Sequence, residues 1–177
     1  MADINLTGRA AIVTGGGGGM GRAMALALVA KGARVALLDV RRDNVEAVAA
    51  EATALGDAEC ALPLVCDVTD SRACETAVRE TINAFNSADI LVNAAGLGMS
   101  TMRDDYWNHP VRFWECDVAR WKALMDVNWT GAFHMSRAAA PQMIARKWGR
   151  IVNITTSLDT MCNAGYTPYG PSKAALE

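Results

Sequence analysis

Glycines 15–19 run consecutively, and Gly21 follows after a single methionine. This run joins an apolar stretch, residues 9–14 (RAAIVT), directly to a stretch of helix formers, residues 19–31 (GMGRAMALALVAK). A glycine-only segment can be a flexible linker. Here strand and helix patterns abut it without a spacer, so it reads as a tight strand-to-helix turn. Glycine lets the backbone turn sharply and approach a pyrophosphate, which then rests on the helix N-terminus. A nucleoside triphosphate loop nearly fits residues 16–23. It fails because Arg22 replaces its lysine and Ala23 its magnesium-holding hydroxyl.

The same alternation continues along the chain. Residues 34–39 (RVALLD) read as a second strand and residues 43–55 as a helix capped by Asp43 and ended by Gly56. Residues 60–66 form a third strand, and Asp70 begins another helix. Residues 89–92 are a fourth strand, residues 121–127 and 131–146 are helical, and residues 150–155 are a fifth strand. Strands alternating with helices imply βαβ crossovers and a parallel sheet covered on both faces. The expectation is an α/β fold, a doubly wound Rossmann-type sheet of order 3-2-1-4-5, with ligands at the carboxyl ends of the strands. Asp39 closes the second strand 24 positions after Gly15. An acid there bonds a ribose 2′-hydroxyl and repels a 2′-phosphate, which favours NAD over NADP. Arg41 and Arg42 follow closely and soften that preference; alternatively, Asp39 merely ends a strand.

Composition narrows the function. The 177 residues carry 17 basic and 19 acidic side chains, a net charge of −2, which excludes a strongly basic nucleic-acid surface. No apolar run approaches a membrane span of ~18–20 residues, and the N-terminus lacks the pattern of a signal peptide, so a cytoplasmic location is expected. The five cysteines form no C-x-x-C pair and there are only two histidines, so no metal site is expected. The thiols read as buried in a reducing compartment. Ten of the eleven aromatic residues lie between Tyr106 and Tyr169. That half is either a bulkier core or an adaptable surface for substrate.

Tyr169 and Lys173 stand four apart at a helix start, so they share one face. An ammonium beside a phenol favours the phenolate and suits proton transfer. The ordered set is TGGGGGMG, Asp39, Asp67-Val68, Asn93-Ala94-Ala95-Gly96, Asn128, Thr155-Thr156-Ser157 and Tyr169-x-x-x-Lys173. It resembles the short-chain dehydrogenase/reductase family over essentially the whole chain. The T-G-x-x-x-G-x-G spacing is that of the family's dehydrogenase branch, not of the extended epimerase branch.

The resemblance implies a role at each matching position. Gly15, Gly19 and Gly21 shape the dinucleotide loop, with Gly18 and Met20 near the pyrophosphate and nicotinamide. Asp67, with Val68 beside it, bonds the adenine amino group, and Asn93 and Gly96 line the adenosine ribose. Tyr169 is the acid/base, Lys173 holds the nicotinamide ribose, and Asn128 supports a proton relay. The implied reaction exchanges a hydride between nicotinamide and a secondary alcohol or ketone. The substrate-orienting hydroxyl falls on Thr156 by spacing, with Ser157 one residue later. Only one of the two points into the site.

The resemblance also implies a single dinucleotide-binding domain over residues 1–177 that lacks its last strands and substrate lid. A complete enzyme would be a homodimer or homotetramer. A catalytically silent NAD-binding module, or an inactive fragment, is the competing expectation. Residues 97–115 are longer than the family needs and read as a surface excursion near the substrate mouth, with His109 as a solvent-exposed loop residue. His134 reads as a packed helix residue.

Overall fold

Residues 4–177 are described by a computed structural model; residues 1–3, part of the N-terminal stretch read above, lie outside them. The strands are β1 (Ala10–Thr14), β2 (Arg34–Asp39), β3 (Ala61–Val65), β4 (Ile90–Asn93) and β5 (Arg150–Asn153). All pair in parallel in the order β3-β2-β1-β4-β5, as the sequence pattern predicts. β1 is buried throughout, and strand alternation divides its side chains between two cores. Ile12 and Leu38 face one core, with Leu91; α3 (Ser71–Phe85) and α5 (Gly131–Ala145) cover it. Val13, Val35 and Leu37 face the other, under α1 (Gly19–Val29) and α2 (Arg42–Leu55). Each fully buried Leu or Ile stabilises the fold by roughly 1.5–3 kcal/mol.

The amino edge of the sheet is held by a buried carboxylate. Asp89 Oδ2 accepts hydrogen bonds from the Ala10 amide (3.0 Å) and the Ser87 hydroxyl (2.8 Å). Its Oδ1 makes no hydrogen bond but faces the guanidiniums of Arg146 and Arg9 at 3.4 and 3.6 Å. β3 is an edge strand, where Pro63 fits because no ladder donor is needed outward. β5 is the opposite edge.

Several element boundaries differ from the sequence reading. α2 starts at Arg42, and Arg41, not Asp43, is the cap residue; Asp43 lies in the first turn. Asp70 does cap α3, accepting from the amides of Arg72 and Ala73. Residues 118–145 form an almost unbroken helix in which α4 (Val118–Met125) joins α5 through one π-helical turn (Asp126–Thr130). β5 ends at Asn153, before the hydroxyl-rich turn. Short helices α6 (Leu158–Cys162) and α7 (Tyr169–Ala174) follow it. Cys60, Cys66 and Cys74 are buried thiols, but Cys162 is exposed, so the reading of all five as buried fails there. Among the described residues no helix is long and apolar enough to cross a membrane, and no three His, Cys, Asp or Glu side chains gather to hold a metal.

Candidate active site

A cleft of about 470 Å³ opens at the carboxyl ends of the central strands. Its floor is the glycine turn between β1 and α1. Gly15 has φ +65°, and a Cβ there would lie 2.9 Å from Ala95 Cα. A Cβ on Gly21 would lie 2.2 Å from the Gly15 carbonyl oxygen. Only glycine satisfies both positions, so the loop and the first turn of α1 close onto each other. Gly18, Gly19 and an exposed Met20 complete this wall. Arg22 turns away to Glu51 (Nε to Oε1, 3.1 Å), which leaves the turn itself uncharged.

Asp39 lines the cleft, and its Oδ1 accepts from the Arg41 amide at 3.1 Å. Oδ2 makes no hydrogen bond within the described residues. Asp67 and Val68, which follow the neighbouring strand β3, also line it; Asp67 Oδ1 is held by the Thr69 amide (2.9 Å) and hydroxyl (2.8 Å). The Val68 carbonyl lies 3.0 Å from His134 Nδ1, which explains that packed histidine. Gly96 lines the cleft, but Asn93 does not. Asn93 is buried beneath the cleft and donates to Asn153 (2.9 Å) and Ser136 (3.2 Å), tying β4 to β5 and α5.

Next to Gly96 stands a second cluster. Lys173 is 6% exposed, donates to the Ile154 carbonyl at 2.7 Å, and lies 5.8 Å from the centre of the Tyr169 ring. Burial holds its ammonium below the ordinary lysine value. A Cβ on Gly96 would sit 3.4 Å from Asn128 Oδ1 and 3.6 Å from Lys173 Nζ. The strand-end turn thus borders both side chains. Asn128, in the π-helical turn, accepts from the Leu97 amide at 2.7 Å. It donates to the Leu97 carbonyl and the Ser172 hydroxyl, both at 3.0 Å. Both of its N–H groups and its carbonyl oxygen are engaged, so this side chain braces the β4 turn against α7.

The two candidate hydroxyls differ. Ser157 caps α6: its Oγ accepts from the Thr160 amide at 3.3 Å and lies 3.0 Å from Thr160 Oγ1. Thr156 is half-buried and makes no hydrogen bond within the described residues. Ser172 and Leu97 were not singled out by sequence reading, and Thr14 was read only as the first residue of the T-G-x-x-x-G-x-G motif. Thr14 Oγ1 accepts from the amides of Ala94 and Ala95, both at 3.0 Å, and so fixes the turn carrying Gly96. The one available signal was its place immediately before the glycine run.

The excursion of residues 97–115 does lie at the surface, but it has a small core of its own. Met99, Met102 and Val111 pack with Leu124, and Tyr106, Tyr166 and Tyr169 lean on the same cluster. Trp107, Phe113 and Trp114 are exposed, as are Trp121, Trp129 and Phe133 in or beside α4 and α5. Much of the aromatic weight of this half therefore faces outward.

The short chain dehydrogenase family model matches residues 9–177. The chain belongs to that family. It is 34% identical over 169 residues to a 2-dehydro-3-deoxy-L-rhamnonate dehydrogenase (NAD(+)) of Sphingomonas sp. (strain SKA58), covering 96% of this chain and 62% of that one. Among solved structures it is similar to NAD+-bound xylitol dehydrogenase, with TM-score 0.83 and 31% identity over 97% of this chain and 62% of that one. It is also similar to a metagenomic short-chain oxidoreductase in complex with NADP, with TM-score 0.85 and 33% identity over 97% of this chain and 72% of that one. The chain thus spans less than two thirds of the length of that first relative and of the xylitol enzyme. Members of this family are oxidoreductases that generally depend on NAD or NADP, and the similar structures include both cofactors.

Proposed function

We propose that residues 1–177 act as one dinucleotide-binding unit of an NAD-dependent dehydrogenase that interconverts a secondary alcohol and its ketone. The juxtaposition at Gly96 carries this reading, because the dinucleotide cleft, Lys173 and Asn128 meet there and α7 adds Tyr169. The cleft suits the cofactor: its glycine floor admits a pyrophosphate, and the Asp39 carboxylate in its lining would take the ribose hydroxyls. NADP is the less favoured cofactor, since the Asp39 carboxylate opposes a 2′-phosphate. Gly15, Gly18, Gly19, Met20 and Gly21 would hold the pyrophosphate side. Asp67, Val68 and Gly96 would hold the adenosine side, with Asn93 supporting from below.

When bound, the nicotinamide supplies the hydride acceptor or donor. Tyr169 takes the proton from the substrate hydroxyl during oxidation and returns it during reduction. The Lys173 ammonium favours the ionised phenol and holds the nicotinamide ribose. The Thr156 hydroxyl donates to the substrate oxygen where charge develops, with Ser157 as the alternative. Asn128 positions Leu97 and α7, through which any water relay to Lys173 is aligned. The similar proteins named above include a sugar-acid dehydrogenase and xylitol dehydrogenase, which supports a secondary alcohol as substrate. In this reading the enzyme is cytoplasmic and works as a homodimer or homotetramer.

The test is NADH formation from NAD across a panel of secondary alcohols and polyols. Tyr169→Phe should lower kcat by about 10²- to 10⁴-fold, the usual weight of a general acid/base, while NAD still binds. NAD binding without turnover on any alcohol would leave only the silent-module reading.

A further inference from the structure

Two thiols at the dinucleotide cleft have no part in the function proposed above. Cys66 follows β3 and lines the cleft, with Asp67 and Val68 directly after it. Cys74 lies in the first turn of α3, and both cysteines belong to one buried cluster. The two side chains meet there, and the Cys74 thiol hydrogen-bonds to the Cys66 sulfur. Its S–H is shared with the Val68 carbonyl, 3.5 Å from Cys74 Sγ. The backbone fixes the pair from both sides. The Cys66 amide donates to the Asp39 carbonyl and the Cys74 amide to the Asp70 carbonyl, each at 3.0 Å.

The two sulfurs are not equivalent. Cys66 borders a cleft of about 470 Å³, which admits a small solute, whereas Cys74 is fully buried behind it. The hydrogen bond from Cys74 holds the Cys66 thiol below its ordinary value, against burial and the Asp67 and Asp70 carboxylates. Cys74, as the donor, is pushed up. The sulfur at the cleft is therefore the better thiolate and the better nucleophile. Cys60 is the contrast. It is as buried as Cys66, but its thiol turns to the Ala52 carbonyl at 3.4 Å, and burial pushes it up.

We propose that Cys66 and Cys74 form an oxidation site, which takes hydrogen peroxide and closes to an intramolecular disulfide in the wall of the cleft. The Cys66 thiolate attacks one peroxide oxygen. An S–O bond forms, the O–O bond breaks, and the departing hydroxide takes up the proton that Cys66 released. The Cys74 sulfur then attacks the Cys66 sulfur. The S–S bond forms, the S–O bond breaks, and the second hydroxide leaves as water with the Cys74 proton. Two thiols lose two electrons, and the peroxide is reduced to two waters. The bridge draws the end of β3 toward the first turn of α3 and shifts Asp67 and Val68, which lie between the two cysteines in the chain. That effect on cofactor binding rests on the dinucleotide reading above; the oxidation site does not.

The experiment treats the chain with hydrogen peroxide, blocks the remaining thiols and digests it with trypsin without reduction. Peptides 43–72 and 73–79 should appear as one species about 2 Da lighter than their sum, the two hydrogens lost in a disulfide. Fragmentation should place the bridge on Cys66, and Cys60→Ser should still form it. Cys74→Ser should not, and dimedone should then label Cys66 as a sulfenic acid. The oxidised chain should bind NAD at least about tenfold more weakly than the reduced one, the weight of one hydrogen bond to a carboxylate, and dithiothreitol should restore binding. No bridge between Cys66 and Cys74, under conditions that oxidise the exposed Cys162, would overturn the oxidation site. A bridge that leaves NAD affinity unchanged would overturn its effect on the cleft. If the reduced chain binds no NAD, the dinucleotide reading fails, and the peptide map still decides the oxidation site.

Discussion

In the proposed function the Asp39 carboxylate selects the cofactor. Its Oδ1 accepts from the Arg41 amide at 3.1 Å, and the residue lines the cleft. A charge-assisted bond to a ribose hydroxyl contributes about 1.5–3 kcal/mol. Asp39→Ala should therefore weaken NAD binding about 10- to 100-fold, while NADP binding strengthens because Arg41 then meets the 2′-phosphate without an opposing charge. Calorimetric titration of both cofactors checks this, and equal losses for NAD and NADP would contradict it. At the same scale, the sequence showed Tyr169, Lys173 and Asp39 at strand and helix ends, because their spacing is tied to those ends. It could not separate Thr156 from Ser157. The two differ in the structure in that Ser157 is drawn into the cap of α6 at 3.3 Å, a short helix with too little periodicity to be seen in advance. Nor could spacing reveal that the Asn128 amide bonds to Leu97 and Ser172, 31 and 44 positions away.

Among elements, the β1–α1 turn is the least tolerant of change. A Cβ at Gly21 would press on the Gly15 carbonyl at 2.2 Å, backbone that the turn cannot move without losing the hold of Thr14 on Ala94 and Ala95. Gly21→Ala should lower Tm by several degrees, a cost of roughly 1–3 kcal/mol for overpacking, and abolish measurable NAD binding. Calorimetry with and without NAD reads both effects, and an unaltered Tm would show that α1 can shift outward. β2 was legible to the residue because its apolar run is bounded by charge at both ends. The helix caps were less legible. Asp43 has the right chemistry for a cap, yet the chain enters α2 earlier, with Arg41, extended after the bend at Val40, in the cap position. The join of α4 to α5 was hidden because a π-helical turn shifts the apolar period by one residue, which reads as a break.

Across the molecule, chemistry and stability occupy opposite ends of the sheet. Asp89, Arg9 and Arg146 close the amino edge. The glycine turn, Asp39, Asp67, Gly96 and the Tyr169–Lys173 pair gather at the carboxyl edge, as a doubly wound sheet requires. Strand order was legible because every long apolar run sits between helices. The small core of the 97–115 excursion was not, because it arises where irregular segments far apart in sequence, residues 97–115 and the stretch around Tyr166, pack together. The central claim is that hydride passes to nicotinamide while Tyr169 takes the proton. It is tested most directly with a secondary alcohol deuterated at the carbinol carbon, incubated with NAD and analysed by mass spectrometry of the reduced cofactor. Deuterium should appear in the nicotinamide ring with the wild-type chain, and its rate of appearance should fall at least about 10²-fold in Tyr169→Phe. Reduced cofactor without deuterium, or equal rates in the two proteins, would contradict it.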